Sequence, residues 1–320
     1  MLAYIVKRLL QSIITMLGIS VIIFALVNLI PGNPYASMID LSMSPEQVDA
    51  LLRQLGYYDP LTVKYVKWLG RMLQGDMGVS IFYKEPVAAI IMSRLGNTAL
   101  LAVAAILIGS MIGIVTGIFT SRHRKSLIDY LTTIFAFLGL SIPTFFFGML
   151  LIKVFGVDLK WLPVSGKSTI GVTLSGMDYA WDVMKHLVMP AMVLGLMHAA
   201  ALMRYTRSSM LEIQQQDYIR TARAKGLGER AVIYKHALKN ALNPIITILS
   251  LKVPALLSGA LLTETVFVWP GVGRLNYEAV LHRDYPLIMG IVMVLALFTL
   301  LSNLIADMLY AAVDPRIKYD

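Results

Sequence analysis

The chain has 320 residues, of which 57% are hydrophobic and 15% charged, whereas a soluble domain carries roughly 45–50% apolar and about 25% charged residues. Several apolar runs reach the ~20 residues needed to cross a hydrocarbon core of ~30 Å, so the solvent is read as lipid and a soluble enzyme is set aside. The formal charge of +9 would suit nucleic acid in a soluble chain, but in a membrane chain basic residues fix orientation; the absence of cysteine excludes disulfides, thiolate metal sites and cysteine nucleophiles.

The apolar pattern predicts six spans, near residues 9–30, 97–120, 131–155, 187–203, 245–265 and 287–312. They divide the chain into an N-terminal segment with the first span (1–30), an extracytoplasmic helical segment (31–96), a core of five spans (97–312) and a tail (313–320). The first run follows Lys7-Arg8 as a signal sequence would. It has no small-residue cleavage site before the Pro31-Gly32-Asn33-Pro34 turn, and so reads as an uncleaved anchor.

Within 31–96, Ser44-Pro45-Glu46 reads as a helix start, followed by apolar Val48, Leu51, Leu52 and Leu55. Asp59-Pro60 restarts a pattern through Leu61, Tyr65, Trp68, Leu69 and Met72, ended by Gly75-Asp76. This half-apolar surface suits the headgroup layer, a partner, or a lid on the chain's own spans.

In the second span Gly109, Gly113 and Gly117 recur every four residues, a face on which another backbone can approach closely. Pro143, Pro190, Pro244 and Pro254 lie in or beside spans three to five and offer bend points. Polar groups inside spans are expensive; Lys252 and Asp307 share a depth and are expected to form a structural ion pair, with Lys252 snorkelling to the interface or a proton or ion relay as the alternatives.

Reaction chemistry is sparse. Gly166-Lys167-Ser168-Thr169 has the end of a phosphate loop, but Trp161 occupies the position of its first glycine. The five histidines are scattered, no His-Glu-x-x-His pair or Gly-x-Ser-x-Gly elbow occurs, and the spans hold no midplane acidic cluster of the kind a secondary transporter uses.

With the N-terminus inside, the cytoplasmic segments hold 15 Lys/Arg in 66 residues and the outer ones 11 in 118, so both termini and 204–243 are placed in the cytoplasm. Segment 204–243 sets eight Lys/Arg against Glu212, Asp217 and Glu229. Asp217 through Gly228 reads as a short helix with Asp217 as its cap and Gly226 and Gly228 ending it, Gly226 at positive φ. Tyr218 and Ala222, four apart, are expected on one face, with Ala222 and Gly226 small enough for close approach by a partner.

At this segment the sequence resembles the membrane subunits of ATP-binding-cassette importers, specifically the first permease subunit of the dipeptide, oligopeptide and nickel group. That superfamily's cytoplasmic signature is Glu-Ala-Ala, three residues, Gly, nine residues, then Ile-x-Leu-Pro; here only Ala222, Gly226 and Leu238 match it. The departures fit the peptide-type subgroup at Tyr218–Leu227 and His236–Pro244, and further likeness lies at Lys7-Arg8-Leu9-Leu10, Gly75-Asp76-Met77-Gly78, Leu140-Ser141-Ile142-Pro143, Glu264-Thr265-Val266-Phe267, Pro270-Gly271-Val272-Gly273 and Asp314-Pro315-Arg316.

The resemblance implies an all-α integral membrane protein of six transmembrane helices with the type I importer fold, multi-pass in a bacterial or archaeal inner membrane. It implies a second homologous permease subunit, two cytoplasmic ATPases and an extracytoplasmic solute-binding protein as partners, beside membrane lipid and without nucleic acid. No catalytic residue and no cofactor are expected in this chain, ATP and Mg being bound by the ATPases. Tyr218, Arg220, Thr221, Ala222, Arg223, Ala224, Lys225, Gly226 and Leu227 are the expected coupling residues. Peptide, nickel, glutathione and sugar-peptide cargoes remain open, with an ion-coupled secondary transporter or a membrane enzyme as readings from other classes.

Overall fold

A computed structural model describes residues 2–30, 39, 42–54, 56–242, 245, 249 and 260–313. In chain order the helices are α1 (Leu2–Leu29), α2 (Pro45–Gln54), α3 (Leu61–Leu73), α4 (Val87–Arg122), α5 (Leu127–Ser141), α6 (Thr144–Leu151), α7 (Gly176–Gln214), α8 (Asp217–Ala224), α9 (Glu229–Ala231), α10 (Leu261–Val266), α11 (Val272–Leu281) and α12 (Tyr285–Val313). Among the described residues there is no strand, only an isolated bridge between Val79 and Pro86.

Four of these helices, α1, α4, α7 and α12, contain stretches long and apolar enough to cross a membrane. The third expected span is divided: α5 stops at Ser141 and α6 starts at Thr144, because Pro143 supplies no N–H and bars its predecessor from helical geometry. After α6 the backbone widens into a π-helical stretch, Ile152–Asp158. The fourth expected span, 187–203, is the middle of a 39-residue helix that runs through the buried Pro190. Most of the fifth, with Lys252, Pro244 and Pro254, lies outside the described residues.

The centre of the fold is the pair α4 and α7, which lie side by side and run the same way. At one end Leu101, Ala102 and Ala105 meet Val183, Leu187, Ala191 and Leu194; at the other Ile118 meets Met210. Between them the glycines set the distance. A Cβ on Gly109 would lie 2.8 Å from the Gly195 carbonyl oxygen, and one on Gly117 2.6 Å from the Thr206 Cβ. In lipid, where burying apolar surface gains nothing, this closeness supplies the dispersion contact that holds helices together.

α1 and α12 run antiparallel. Phe24 and Val27 of α1 share a core with the start of α12, and at the other end Arg8 meets Asp307 at 3.1 Å. α3 packs on α1: Phe24 lies 5.3 Å from the Tyr65 ring, edge on, and 5.7 Å from Trp68, while the Ser20 and Tyr65 hydroxyls are 2.8 Å apart. The buried face of α3 is therefore spent on its own first span. α2 opens with a reciprocal cap, in which the Ser44 N–H donates to Gln47 Oε1 at 2.9 Å and the Gln47 N–H to Ser44 Oγ at 3.3 Å.

Candidate functional site

The candidate site lies where α7 ends and α8 begins. The N–H groups of Gln215 and Gln216 close the last turn of α7 on the carbonyls of Glu212 and Ile213, and the chain turns into α8 through Gln216, whose extended backbone makes it the N-cap. The expected cap by Asp217 is not formed: Asp217 is the first helical residue, no side chain caps the helix, and its carboxylate faces Arg220 at 3.5 Å in solvent. An acidic charge in the first turn still suits the positive end of the helix dipole.

α8 closes with a Schellman motif. The Leu227 N–H reaches the Ala222 carbonyl at 3.3 Å, the Gly226 N–H reaches the Arg223 carbonyl at 2.9 Å, and Gly226 has φ +78°. The left-handed residue is thus imposed by the chain reversal itself, since a Cβ there would meet nothing within 4 Å.

Two side chains anchor α8. Ile219 and Ala222, three apart, are buried in a core with Ile118, Met210, Val232, Ile233, Ala237 and Ala241. This corrects the expectation that Ala222 is presented together with Tyr218: Ala222 faces the chain's own core, and Tyr218, 45% exposed, lies beside that stripe. The presented surface consists of Tyr218, Arg220, Thr221, Arg223, Ala224, Lys225, Gly226 and Leu227. A fork from Arg223 to Glu229, at 2.8 and 3.2 Å, ties the end of α8 to the start of α9; the guanidinium holds the Glu229 carboxyl below the usual carboxylate range.

From α9 the backbone passes through a π-helical turn, Val232–Ala237, with helical residues continuing to 242. Asp129, near the start of α5, is clamped by Arg207 of α7, Nε to Oδ1 at 2.9 Å and Nη2 to Oδ2 at 2.8 Å. α5, α7, α8 and α9 therefore meet in one hydrogen-bonded and packed corner. The remaining sequence candidates lie elsewhere. Lys252 is outside the described residues, and Asp307 pairs with Arg8 at the foot of α1. Lys167 stands 6.0 Å over the Tyr179 ring, while Thr169 of the same loop donates its N–H and hydroxyl to Asp182. Among the described residues no group of His, Asp or Glu is placed to hold a metal ion.

Residues 109–319 match the family described as the binding-protein-dependent transport system inner membrane component, and residues 1–102 match the N-terminal region of such membrane components. The chain belongs to this family. Its relatives within the family align over their full length. It is 44% identical over 320 residues to the oligopeptide transport system permease protein AppB of Bacillus subtilis (strain 168), covering 100% of both chains. It is 39% identical to the dipeptide transport system permease protein DppB of Escherichia coli (strain K12), covering 100% of this chain and 99% of that one.

Among solved structures, an inward-facing conformation of the MetNI methionine ABC transporter superposes with a TM-score of 0.56 at 17% identity, over 70% of this chain and 96% of the other. The fold is thus the all-α transmembrane fold of a type I ABC importer. The chain is a permease subunit of the inner membrane, a transporter component and not an enzyme.

Proposed function

We propose that this chain forms half of an ATP-driven import pathway for peptides, with α8 as the element that receives motion from a cytoplasmic ATPase. The observation that carries the reading is the build of α8: eight residues long, stopped by a Schellman turn, fixed from behind by Ile219 and Ala222, and presenting a basic face. Such a helix is too short to bend and is held at both ends, so a push on its outer face is passed to α7 and, through the Arg207–Asp129 fork, to α5. The chain supplies no catalytic group for this; ATP binding and hydrolysis on the partners bias two conformations of the spans.

The peptide cargo is supported by the relatives, which are oligopeptide and dipeptide permease proteins, and the orientation by the density of basic residues. On this reading both termini and α8 face the cytoplasm, α3 lies outside, and the working complex holds a second homologous permease, two ATPases and one solute-binding protein. The test is to purify the complex through this chain and to measure ATP-dependent uptake of labelled oligopeptide and of nickel in vesicles. Tyr218→Glu and Leu227→Glu, both on the presented face, should lower ATPase recovery and uptake by tenfold or more while the subunit accumulates normally. Uptake driven by an ion gradient without ATP, or uptake of nickel but not peptide, would reject the corresponding part of the reading.

A further inference from the structure

Glu264 is fully buried, a carboxylate in the short helix α10 between Thr263 and Thr265. Its Oε1 accepts the Thr98 hydroxyl of α4 at 2.9 Å, and its Oε2 accepts the Arg274 N–H at 2.9 Å, with the Gly273 N–H also directed at the carboxylate. Thr98 in turn accepts the Val272 N–H at 2.8 Å. Every partner of the carboxylate donates, the pattern that suits an acceptor-only group. A Cβ on Gly271 would land on the carboxyl group, and one on Gly273 would lie 2.9 Å from the Leu261 Cα and 3.0 Å from Oε2.

Glu264 stands just before a strained turn and takes its donors Gly273 and Arg274 from just after it, so the carboxylate closes the turn across its two ends. Val268 has φ +53°, a genuine outlier for a β-branched residue, and its flanking aromatics are inserted on two sides of α7. Phe267 sits with Leu151, Met189 and Val193; Trp269 sits with Leu101, Val183 and Leu187 and donates its indole N–H to the Asn97 carbonyl at 3.0 Å. From Arg274 the polar chain continues outward, its Nε donating to Glu278 at 2.8 Å and Tyr83 donating to the other oxygen of Glu278 at 2.8 Å. Burial first, and the Glu278 hydrogen bond second, push the Tyr83 phenol up to about 12, so it stays a donor across the working pH range. One continuous set of contacts therefore joins the segment before α4, the α10–α11 hairpin and α4 itself.

We infer that Glu264 is a positioning residue of the transport cycle: it fastens the strained aromatic turn 267–271 to Thr98, so that this turn travels with α4 and α7. The inference rests on the transport reading above. A turn that moves with α4 and α7 keeps the end of the molecule remote from α8 in step with the stroke on α8; a turn freed from Thr98 and left on its two Asn97 contacts, from the Trp269 indole at 3.0 Å and to the Pro270 carbonyl at 2.8 Å, relaxes Val268 and follows that stroke loosely. A purely structural role would lower the amount of folded subunit and nothing else.

The test uses the complete complex in vesicles and reads ATP molecules hydrolysed per peptide imported, together with subunit level and ATPase recovery. Glu264→Gln keeps the shape but turns one acceptor into a donor aimed at donors. Thr98→Val removes the hydroxyl between α4 and α11, and Thr98→Ser restores it. Glu264→Gln and Thr98→Val should each raise ATP per peptide at least tenfold at normal subunit level and ATPase recovery, with Thr98→Ser near wild type. An unchanged ratio in both variants overturns the inference, and so does failure of both to accumulate, which would make the contact structural only. A wild-type complex that recruits no ATPase overturns the transport reading itself, and is seen before any variant is compared.

Discussion

Replacing Gly113 by alanine perturbs the middle of the glycine stripe on which α4 meets α7. A Cβ at that position would lie 2.7 Å from the Ala199 carbonyl oxygen and 2.7 Å from the Leu202 Cβ, where ordinary contact begins at 3.4 Å. The helices must therefore separate by about 0.7 Å, since neither obstructing atom can rotate away. Overpacking of this kind costs ~1–3 kcal/mol, and two rigid obstacles place it toward the upper end; against this, alanine gains ~0.5–1 kcal/mol over glycine in a helix interior. The expected net loss is roughly 1–2 kcal/mol.

Gly96 lies on the same helix, exposed and with nothing within 4 Å of an added Cβ, so Gly96→Ala carries the gain without the clash. Thermal unfolding of the two variants, purified in one detergent and heated at one rate, should place Gly96→Ala at or above wild type and Gly113→Ala below it. Equal midpoints for the two variants would refute the claim that the glycine stripe sets the distance between α4 and α7.

At Gly226 the φ of +78° predicts that valine destabilises the turn by ~1–2 kcal/mol and lowers ATPase recovery, whereas asparagine retains most of it; pull-down through the tagged chain checks both. Glu229 has its carboxyl lowered by Arg223, so the fork's contribution is present above the group's ordinary value of 4.5 and is lost as pH falls through the lowered one. The pair is about half exposed, which limits its worth to under ~1 kcal/mol, and the stability difference between wild type and Glu229→Gln should vanish once the pH has fallen through that lowered value. Arg8→Gln and Asp307→Asn should each destabilise the α1–α12 contact, with the double variant losing less than the sum in a thermal double-mutant cycle. Single cysteines at Thr62 and Ser208, both exposed, should react with an impermeant thiol reagent from opposite faces of intact cells.

The sequence made the short elements most legible, because their signals are local. Ser44-Pro45 and Asp59-Pro60 start α2 and α3 as read, and the Gly226 stop of α8 carries the positive φ its position asks for. The length of α7 was hidden because its apolar stretch covers only the middle; its ends are helical through tertiary contacts, Val183 against α4 on one side and Met210 under α8 on the other. Which face of α8 turns inward was equally hidden, since spacing places Tyr218 and Ala222 together while the core beneath selects Ile219 and Ala222. Glu264 carried a readable signal, a carboxylate in an apolar run shortly before Gly271-Val272-Gly273, but its meaning depends on Thr98, 166 positions earlier in the chain. Asp129 and Arg207, 78 apart, were unpairable by pattern for the same reason.

The uninterrupted course of α7 has a geometric consequence. Gly195 is its midpoint, and an added Cβ there would lie 2.9 Å from the Ile108 side chain and 3.1 Å from the Ala105 carbonyl oxygen, with contact to α4 continuing on both sides from Val183 to Met210. Nineteen residues on either side make two arms of about 28 Å each. Braced on α4 along this length, α7 moves with it as one rod: a tilt of the pair by about 5° about the midpoint displaces each tip by about 2.5 Å, in opposite directions. Any tilt of the pair is therefore felt at both ends of α7 at once and with opposite sign, and the small size of Gly195 is part of what lets the two helices lie close enough to tilt together.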